Sequence, residues 1–488
     1  MANSHNQETT GPTFNKIPLM LVLISGAFAA ILNQTLLATA LPHIMKDLHL
    51  EASTAQWLTS IFMLVNGIMI PITAFLIGRF TTRTLFLSAM GLFALGTLIC
   101  AIAPNFGILM VGRIIQASGA GIIMPLMQTI LMLIFPVEKR GTAMGMFGLV
   151  IAFAPAIGPT LSGWLVEQFP WRSLFYVIFP IVVIDFIVAY FVLINVTKRT
   201  FPKVDILSII LSSLGFGGLL YGFSTAGNSG WGDEQVIISL AIGVIALIWF
   251  IFRQLKLQEP ILEFRVFRYA MFTLTTAVGM IVFMSMIGSQ TVLPLFMQNM
   301  LQYSALDSGL MLLPGAVVMG IMNPITGRLF DKFGAKWLAV FGLIVVTVTT
   351  FMFTDLTAQT SFTYLAAVNS VRMLGVAMVM MPVTTAGLNQ LPQHLIPHGT
   401  AMNNTMRQVS GAVGTALLVT VMVNNVLHKS TPQDPSGAIH GVNVSFYVAA
   451  GVAVVGLVLA FFIKRSQPEK DDHEGSEQQN SNQTATES

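Results

Sequence analysis

The chain has 488 residues, of which 54% are hydrophobic and 9% charged, with a formal net charge of +3 and a mean hydropathy of +0.76. A soluble domain carries roughly 25% charged residues, and no globule has enough interior to hide this much apolar surface, so the composition excludes a soluble protein. It indicates many membrane crossings at about 20 apolar residues each. The one cysteine, Cys100, excludes an intramolecular disulfide, an iron–sulfur cluster and a cysteine-based zinc site.

Residues 1–16 form a polar tail, and the first apolar run, Ile17 to Ala40, exceeds the roughly 7–15 residues of a signal-peptide core. It is expected to remain in the protein as the first span. Thirteen further runs follow at about 55–77, 84–103, 106–134, 142–166, 172–194, 205–226, 235–252, 271–293, 306–327, 335–354, 361–386, 400–427 and 442–463. They are continuous, without alternation of period two, and lipid offers backbone groups no partners, so each reads as a helix. The fold class is therefore an all-α polytopic membrane protein. With loops assigned alternately, 18 of the 24 Lys and Arg residues fall on the side of both termini, while Lys46, Arg172 and Lys429 fall on the other. The excess of basic residues places both termini in the cytoplasm. These charges are topology signals, and no nucleic-acid partner is expected. From Lys464 onward the tail is polar and is expected to be disordered.

The tetrapeptide Gly141-Thr142-Ala143-Met144 recurs as Gly399-Thr400-Ala401-Met402, and the segment Leu76 to Thr81 aligns with Leu329 to Gly334. The offsets are 258 and 253 residues, and both pairs keep the same sidedness, which describes a parallel repeat about an axis along the membrane normal. The chain divides into a tail (1–16), a six-helix bundle (17–195), a linker with two extra spans (196–270), a second six-helix bundle (271–463) and a C-terminal tail (464–488).

Several segments then carry a resemblance. In span five, Ala154-Pro155-Ala156-Ile157-Gly158-Pro159-Thr160-Leu161-Ser162-Gly163 resembles the antiporter motif of the fourteen-helix drug:proton antiporter family within the major facilitator superfamily. Arg113-Ile114-Ile115-Gln116-Ala117 in span four is similar to that family's Arg-x-x-Gln-Gly signature, with alanine in the last place. The loop Gly327-Arg328-Leu329-Phe330-Asp331-Lys332-Phe333-Gly334 is similar to the superfamily's signature loop, and Leu32-Asn33-Gln34-Thr35-Leu36-Leu37 resembles the Gram-positive multidrug and lincosamide exporters. The resemblance implies two six-helix bundles with an inserted pair, and proton-coupled efflux of small amphipathic drugs by alternating access, as a monomer in the lipid bilayer, without cofactor or metal. The alternative is a proton-independent facilitator or importer of a small metabolite.

A proton-coupled carrier needs a carboxyl group in the membrane interior. Only Asp185 lies near a helix centre; Asp307, at the outer start of span ten, stands second, and Arg113, a charge well inside span four, is expected to point inward and govern proton binding. Many family members carry an acid where this chain has Asn33, and usually one where Gly78 stands. The second departure leaves Asp331 to form the cytoplasmic latch, with Gly327, Arg328, Gly334, Arg79 and Arg83 completing the gate. Arg372 and Arg407, nearer span ends, are expected to snorkel. Asn33, Gln34, Asn66, Gln116, Gln128, Gln290, Asn369, Asn403 and Gln408 are polar positions within spans expected to line a substrate cavity. A cavity rich in amides and poor in acids suits neutral or weakly basic amphiphiles. The small residues of span five, with Pro155 and Pro159 bending it, are expected to form a close-packed seam. The inserted pair is expected to be peripheral to the cavity.

No enzyme is expected. The histidines fall in tails, loops and span ends; His394 and His398 alone have metal-ligand spacing, in a Pro-flanked loop, and the chain contains no phosphate-binding Gly-x-x-x-x-Gly-Lys-Ser/Thr loop.

Overall fold

The computed structural model describes residues 16–197, 199–201, 203–427 and 435–464. The polar tails at 1–15 and 465–488, with Lys198 and Lys429, lie outside the described residues, as does the side chain of Pro159. Among the described residues, fourteen helices are long and apolar enough to cross a membrane. They are α1 (Lys16–Leu48), α2 (Ala52–Arg79), α3 (Thr82–Ile102), α4 (Phe106–Ile134), α5 (Arg140–Gln168), α6 (Ser173–Val192) and α7 (Ile206–Ser229). The remainder are α8 (Glu234–Lys256), α9 (Ala270–Asn299), α10 (Ala305–Phe333), α11 (Ala335–Met352), α12 (Phe362–Leu388), α13 (Ile396–Asn424) and α14 (Ser436–Phe461). Each expected span falls on one helix. Some helices outrun their apolar runs: α1 continues through Pro42 to Leu48, because apolarity marks the lipid layer whereas the hydrogen-bonded ladder persists into water. Short side chains close several of the turns. Thr81, Asn105 and Ser361 accept the backbone N–H groups of Thr84, Ile108 and Tyr364 at the starts of α3, α4 and α12.

Helices α1–α6 form one bundle and α9–α14 another, with the same pairs in contact. In the first, α1 packs on α5, α3 on α4, α2 on α4 and α3 on α6; in the second, α9 packs on α13, α11 on α12, α10 on α12 and α11 on α14. The bundles meet through α5 on α10 and through α13 on α2, which are again equivalent pairs. In lipid no hydrophobic force drives helices together, so small residues set how closely they approach. On α3, a Cβ at Gly96 would lie 2.4 Å from the Gln116 backbone nitrogen of α4.

The inserted helices α7 and α8 touch backbone to backbone, since a Cβ on Gly218 would lie 2.8 Å from Gly243 Cα. Their termini-side ends are clamped by Arg253, whose Nε and Nη2 donate to Asp205 at 2.8 and 3.0 Å. The Arg253 hydrogen bonds hold the Asp205 carboxyl down at about 2. The pair is not peripheral. Helix α7 lies across α2 and α13, with Leu220 against Gly67, and the Trp231 indole N–H donates to Thr420 at 2.7 Å.

Candidate functional site: a chamber between the bundles

A chamber of about 820 Å³ lies between the bundles, walled by residues of α1, α2, α4, α5, α7, α8, α9, α10, α12 and α13. Five of the expected polar residues stand in its wall: Gln34, Asn66, Gln290, Asn369 and Gln408. The other four do not. Gln116 is turned toward α3, donating to Thr97 at 2.7 Å; Gln128 accepts the Asn404 amide at 2.5 Å; Asn33 and Asn403 are buried outside the wall. All four are polar and lie within spans, but neither property fixes the direction a side chain takes around its helix axis.

The wall also contains residues that depth and polarity did not single out. Trp57 of α2 stacks on Tyr221 of α7, with ring centroids 5.6 Å apart, and the Tyr221 hydroxyl donates to Gln235 of α8 at 3.0 Å. This cluster stands toward the end opposite the termini. Aromatic pairs are worth ~0.5–1.5 kcal/mol beyond area burial, so Tyr221→Ala is expected to change relative transport of planar and non-planar compounds by about 2- to 10-fold. Its thermal unfolding should stay near that of the parent; unchanged selectivity across a substrate panel would remove Tyr221 from the binding surface.

At the end carrying the termini the two bundles are joined. Asp331, at the end of α10, accepts the backbone N–H groups of Gly141 and Thr142 at 2.8 and 2.9 Å and the Thr142 hydroxyl at 2.6 Å. A carboxylate there meets the unsatisfied donors and positive dipole end of α5. Beneath it, Gly327 and Gly141 bring the helices into backbone contact: a Cβ on Gly327 would lie 2.3 Å from the Gly141 carbonyl oxygen. Gly334 turns the chain into α11 at φ +78°, a conformation that favours glycine. The equivalent joint is built differently. Where Asp331 has Gly78 as its counterpart, α13 is held to α4 instead, by Thr129 to Thr400 at 2.6 Å and Asn404 to Gln128. On the α5 side, Arg140 donates to Asn389, at the end of α12, at 3.0 Å. Of the other expected gate residues, Arg83 is a correction. Its guanidinium lies over the Tyr190 ring, 4.6 Å from the centroid, and donates to the Tyr190 carbonyl, tying α3 to α6 within one bundle. Arg328 is exposed, and Arg79 ends α2.

The antiporter-like segment splits between contacts. A Cβ on Gly158 would lie 2.1 Å from Thr35 Oγ1, and Ser162 donates to the Leu36 carbonyl at 2.7 Å, so α5 is seated on α1 there. Ala154 is buried and Pro155 faces the chamber. Gly163 departs from the expected seam, having no atom within 4 Å of its would-be Cβ.

Three arginines are buried inside spans. Arg113 lies over Phe62, 4.1 Å from the centroid, and donates to the Leu58 carbonyl and to Gln116 at 3.2 and 2.7 Å. Arg372 and Arg407 do not snorkel. Arg372 is fully buried, donating to Ser285 and Thr350 of α9 and α11. Arg407 faces the chamber, over the Phe283 ring. The acids lie elsewhere. Asp185 is buried between α6 and α1, where Ser25 donates to Oδ1 and Oδ2 has no hydrogen-bond partner; it is not in the chamber wall. Asp307 closes a capping box with Ser304 at the start of α10, a helix-end role away from the wall. At the far end, Asp47 accepts from the Trp171 indole and Arg172, each at 2.9 Å, and these bonds hold its carboxyl below the usual carboxylate range. His398 accepts the Glu263 N–H at 3.2 Å, and the described residues contain no cluster of three metal-ligating side chains.

Residues 23–415 match the sequence profile of the Major Facilitator Superfamily. The MFS-type transporter YcnB of Bacillus subtilis (strain 168) is 58% identical over 454 residues, covering 93% of this chain and 96% of YcnB. The lincomycin resistance protein LmrB of the same organism is 42% identical over 462 residues, covering 93% of this chain and 96% of LmrB. Among solved structures, the human organic anion transporter MFSD10 superposes with a TM-score of 0.67 at 13% identity, over 92% of this chain and all of that one, which shows the shared fold. Matched along its length by that profile and those relatives, the chain belongs to the major facilitator superfamily of multi-pass membrane transporters, in the fourteen-helix branch that includes LmrB.

Proposed function

We propose that this protein exports amphipathic compounds from the cytoplasm by alternating access, exchanging them for inward-moving protons. The moving bodies are residues 17–195 and 271–463, and the termini face the cytoplasm. The observation that carries this reading is a chamber of mixed amide, aromatic and methionine surface between two equivalent bundles, joined at the termini end by Asp331 on α5. Methionine-rich walls repack around varied shapes. The similarity to a lincomycin resistance protein supports drugs as the cargo.

Asp185 is the group assigned to hold the proton. Its carboxyl is buried against Ser25, nine residues before Gln34 on α1, or ~13 Å along that helix. Gaining or losing a proton there changes how α1 sits on α6, and α1 carries Gln34 into the chamber wall. The site acts through helix packing, with no direct contact to cargo. Each proton charge crossing the membrane supplies ~2.3 kcal/mol per 100 mV.

Inverted vesicles from cells lacking their own pumps test the reading, using lincosamides, dyes and monocations with and without an uncoupler. Accumulation that collapses with the proton gradient is expected. Asp185→Asn should still bind cargo but lose accumulation driven by a pH gradient. If cargo moves down its own gradient with no proton movement, the protein is a facilitator or importer; if Asp185→Asn pumps normally, the proton site lies elsewhere.

A further inference from the structure

We infer that the chamber prefers amphiphiles carrying a single negative charge, such as a carboxylate, and that Arg407 is the group that holds it. This rests on the export reading and names the cargo class within it. Among the described residues of the chamber wall, Arg407 is the single charged side chain, and no carboxylate accompanies it. It is 6% exposed. Its surroundings leave it poorly satisfied: Nη2 reaches only the Met380 sulfur, at 3.8 Å, Nη1 has no hydrogen-bond partner, and the guanidinium carbon lies 4.8 Å from the Phe283 centroid.

A guanidinium withdrawn from water with an empty N–H stands in a costly position unless an anion joins it. Its planar fork fits a carboxylate through two parallel hydrogen bonds. The neighbours on the wall suit the rest of such a molecule. Met286, Ile287, Leu312 and Met319 offer apolar surface for a chain, and Gln408 adds an amide to the same wall. A second recess, sharing Gln34, Gln56 and Met63 with the chamber, also contains an arginine, Arg113, and no acid. Both spaces therefore present positive charge alone, which repels cationic cargo and favours anions. This replaces the sequence-based expectation of neutral or weakly basic compounds, which rested on the scarcity of acids and placed Arg407 at the lipid surface.

The test uses the full-length protein in lipid nanodiscs, titrated at pH 8 with three twelve-carbon probes: dodecanoate, dodecanol and dodecyltrimethylammonium. Binding is read by the fluorescence of Trp57 on the chamber wall, with Trp57→Phe as the blank. The wild type should bind dodecanoate at least ~10-fold more tightly than dodecanol, a difference of ~1.4 kcal/mol, and the cation most weakly. Arg407→Gln should abolish the ratio of anion to neutral probe, and Arg407→Lys should restore most of it. Equal wild-type affinities, or a ratio that survives in Arg407→Gln, would overturn the inference. If Arg407→Gln does not fold, the wild-type ranking of the three head groups still decides. Export of neutral cargo without any anion preference defeats this inference and leaves the export reading standing, whereas export of neither defeats both.

Discussion

Gly327→Ala is expected to stop turnover in a protein that still folds. The added methyl would lie 2.3 Å from the Gly141 carbonyl oxygen and 2.9 Å from its carbon, and both are backbone atoms that no rotamer change can move aside. The contact is between bundles, so relief comes from parting α5 and α10 while each bundle keeps its own packing. Overpacking of this kind costs ~1–3 kcal/mol, enough to shift the population of the sealed state by roughly 5- to 150-fold. A cysteine at Met144, fully buried at the same end, reports the opening by its rate of maleimide labelling. The native Cys100 is buried and contributes little background. Slow labelling in the parent and fast labelling with Gly327→Ala are expected, together with loss of efflux. Slow labelling and normal efflux in the variant would show that the glycine contact does not govern closure.

Asp331→Asn should open the same end by a different route. The carboxylate accepts three hydrogen bonds from Gly141 and Thr142 at the start of α5, whereas an amide has one acceptor oxygen and would turn a donor toward other donors. Hydrogen bonds to a charged group contribute ~1.5–3 kcal/mol, and the loss predicts at least ~10-fold less of the sealed state. Asp331→Glu should recover part of it. The same Met144 reporter reads the shift, and efflux should fall in parallel. Because Gly78 holds the equivalent place, Gly78→Ala should leave labelling unchanged; a response there as large as at Asp331 would refute the unequal division of the latch.

The number of spans, the parallel repeat and the latch residue were legible because each is recorded along the chain. Apolar length counts crossings, matched segments such as Gly141 to Met144 and Gly399 to Met402 reveal duplication, and Asp331 is the acid left in the signature loop. The chamber wall was half legible. A water-soluble helix declares its inner face by a stripe of apolar residues, but a helix bathed in lipid is apolar on every side, so Gln34 and Asn33 look alike until neighbours are in place. The same ambiguity misplaced Arg407 and Arg372. Closeness to a span end allowed snorkelling, but Phe283 and Met380 enclose one and Ser285 and Thr350 the other. The wall residues of α7 were hidden for another reason. The inserted pair has no counterpart in the repeat, so the duplication that ordered the other helices carried no information about where it docks.

Helix α7 spans one joint of a two-jointed machine. It is packed along both α2 and α13, tied to α8 at one end through Asp205 and Arg253 and to α13 at the other through Trp231 and Thr420, while among the described residues neither inserted helix packs along the α5–α10 joint. When the halves rock, α7 has to slide against both of them, so the α2–α13 flank is screened from the lipid by a helix that the α5–α10 flank lacks.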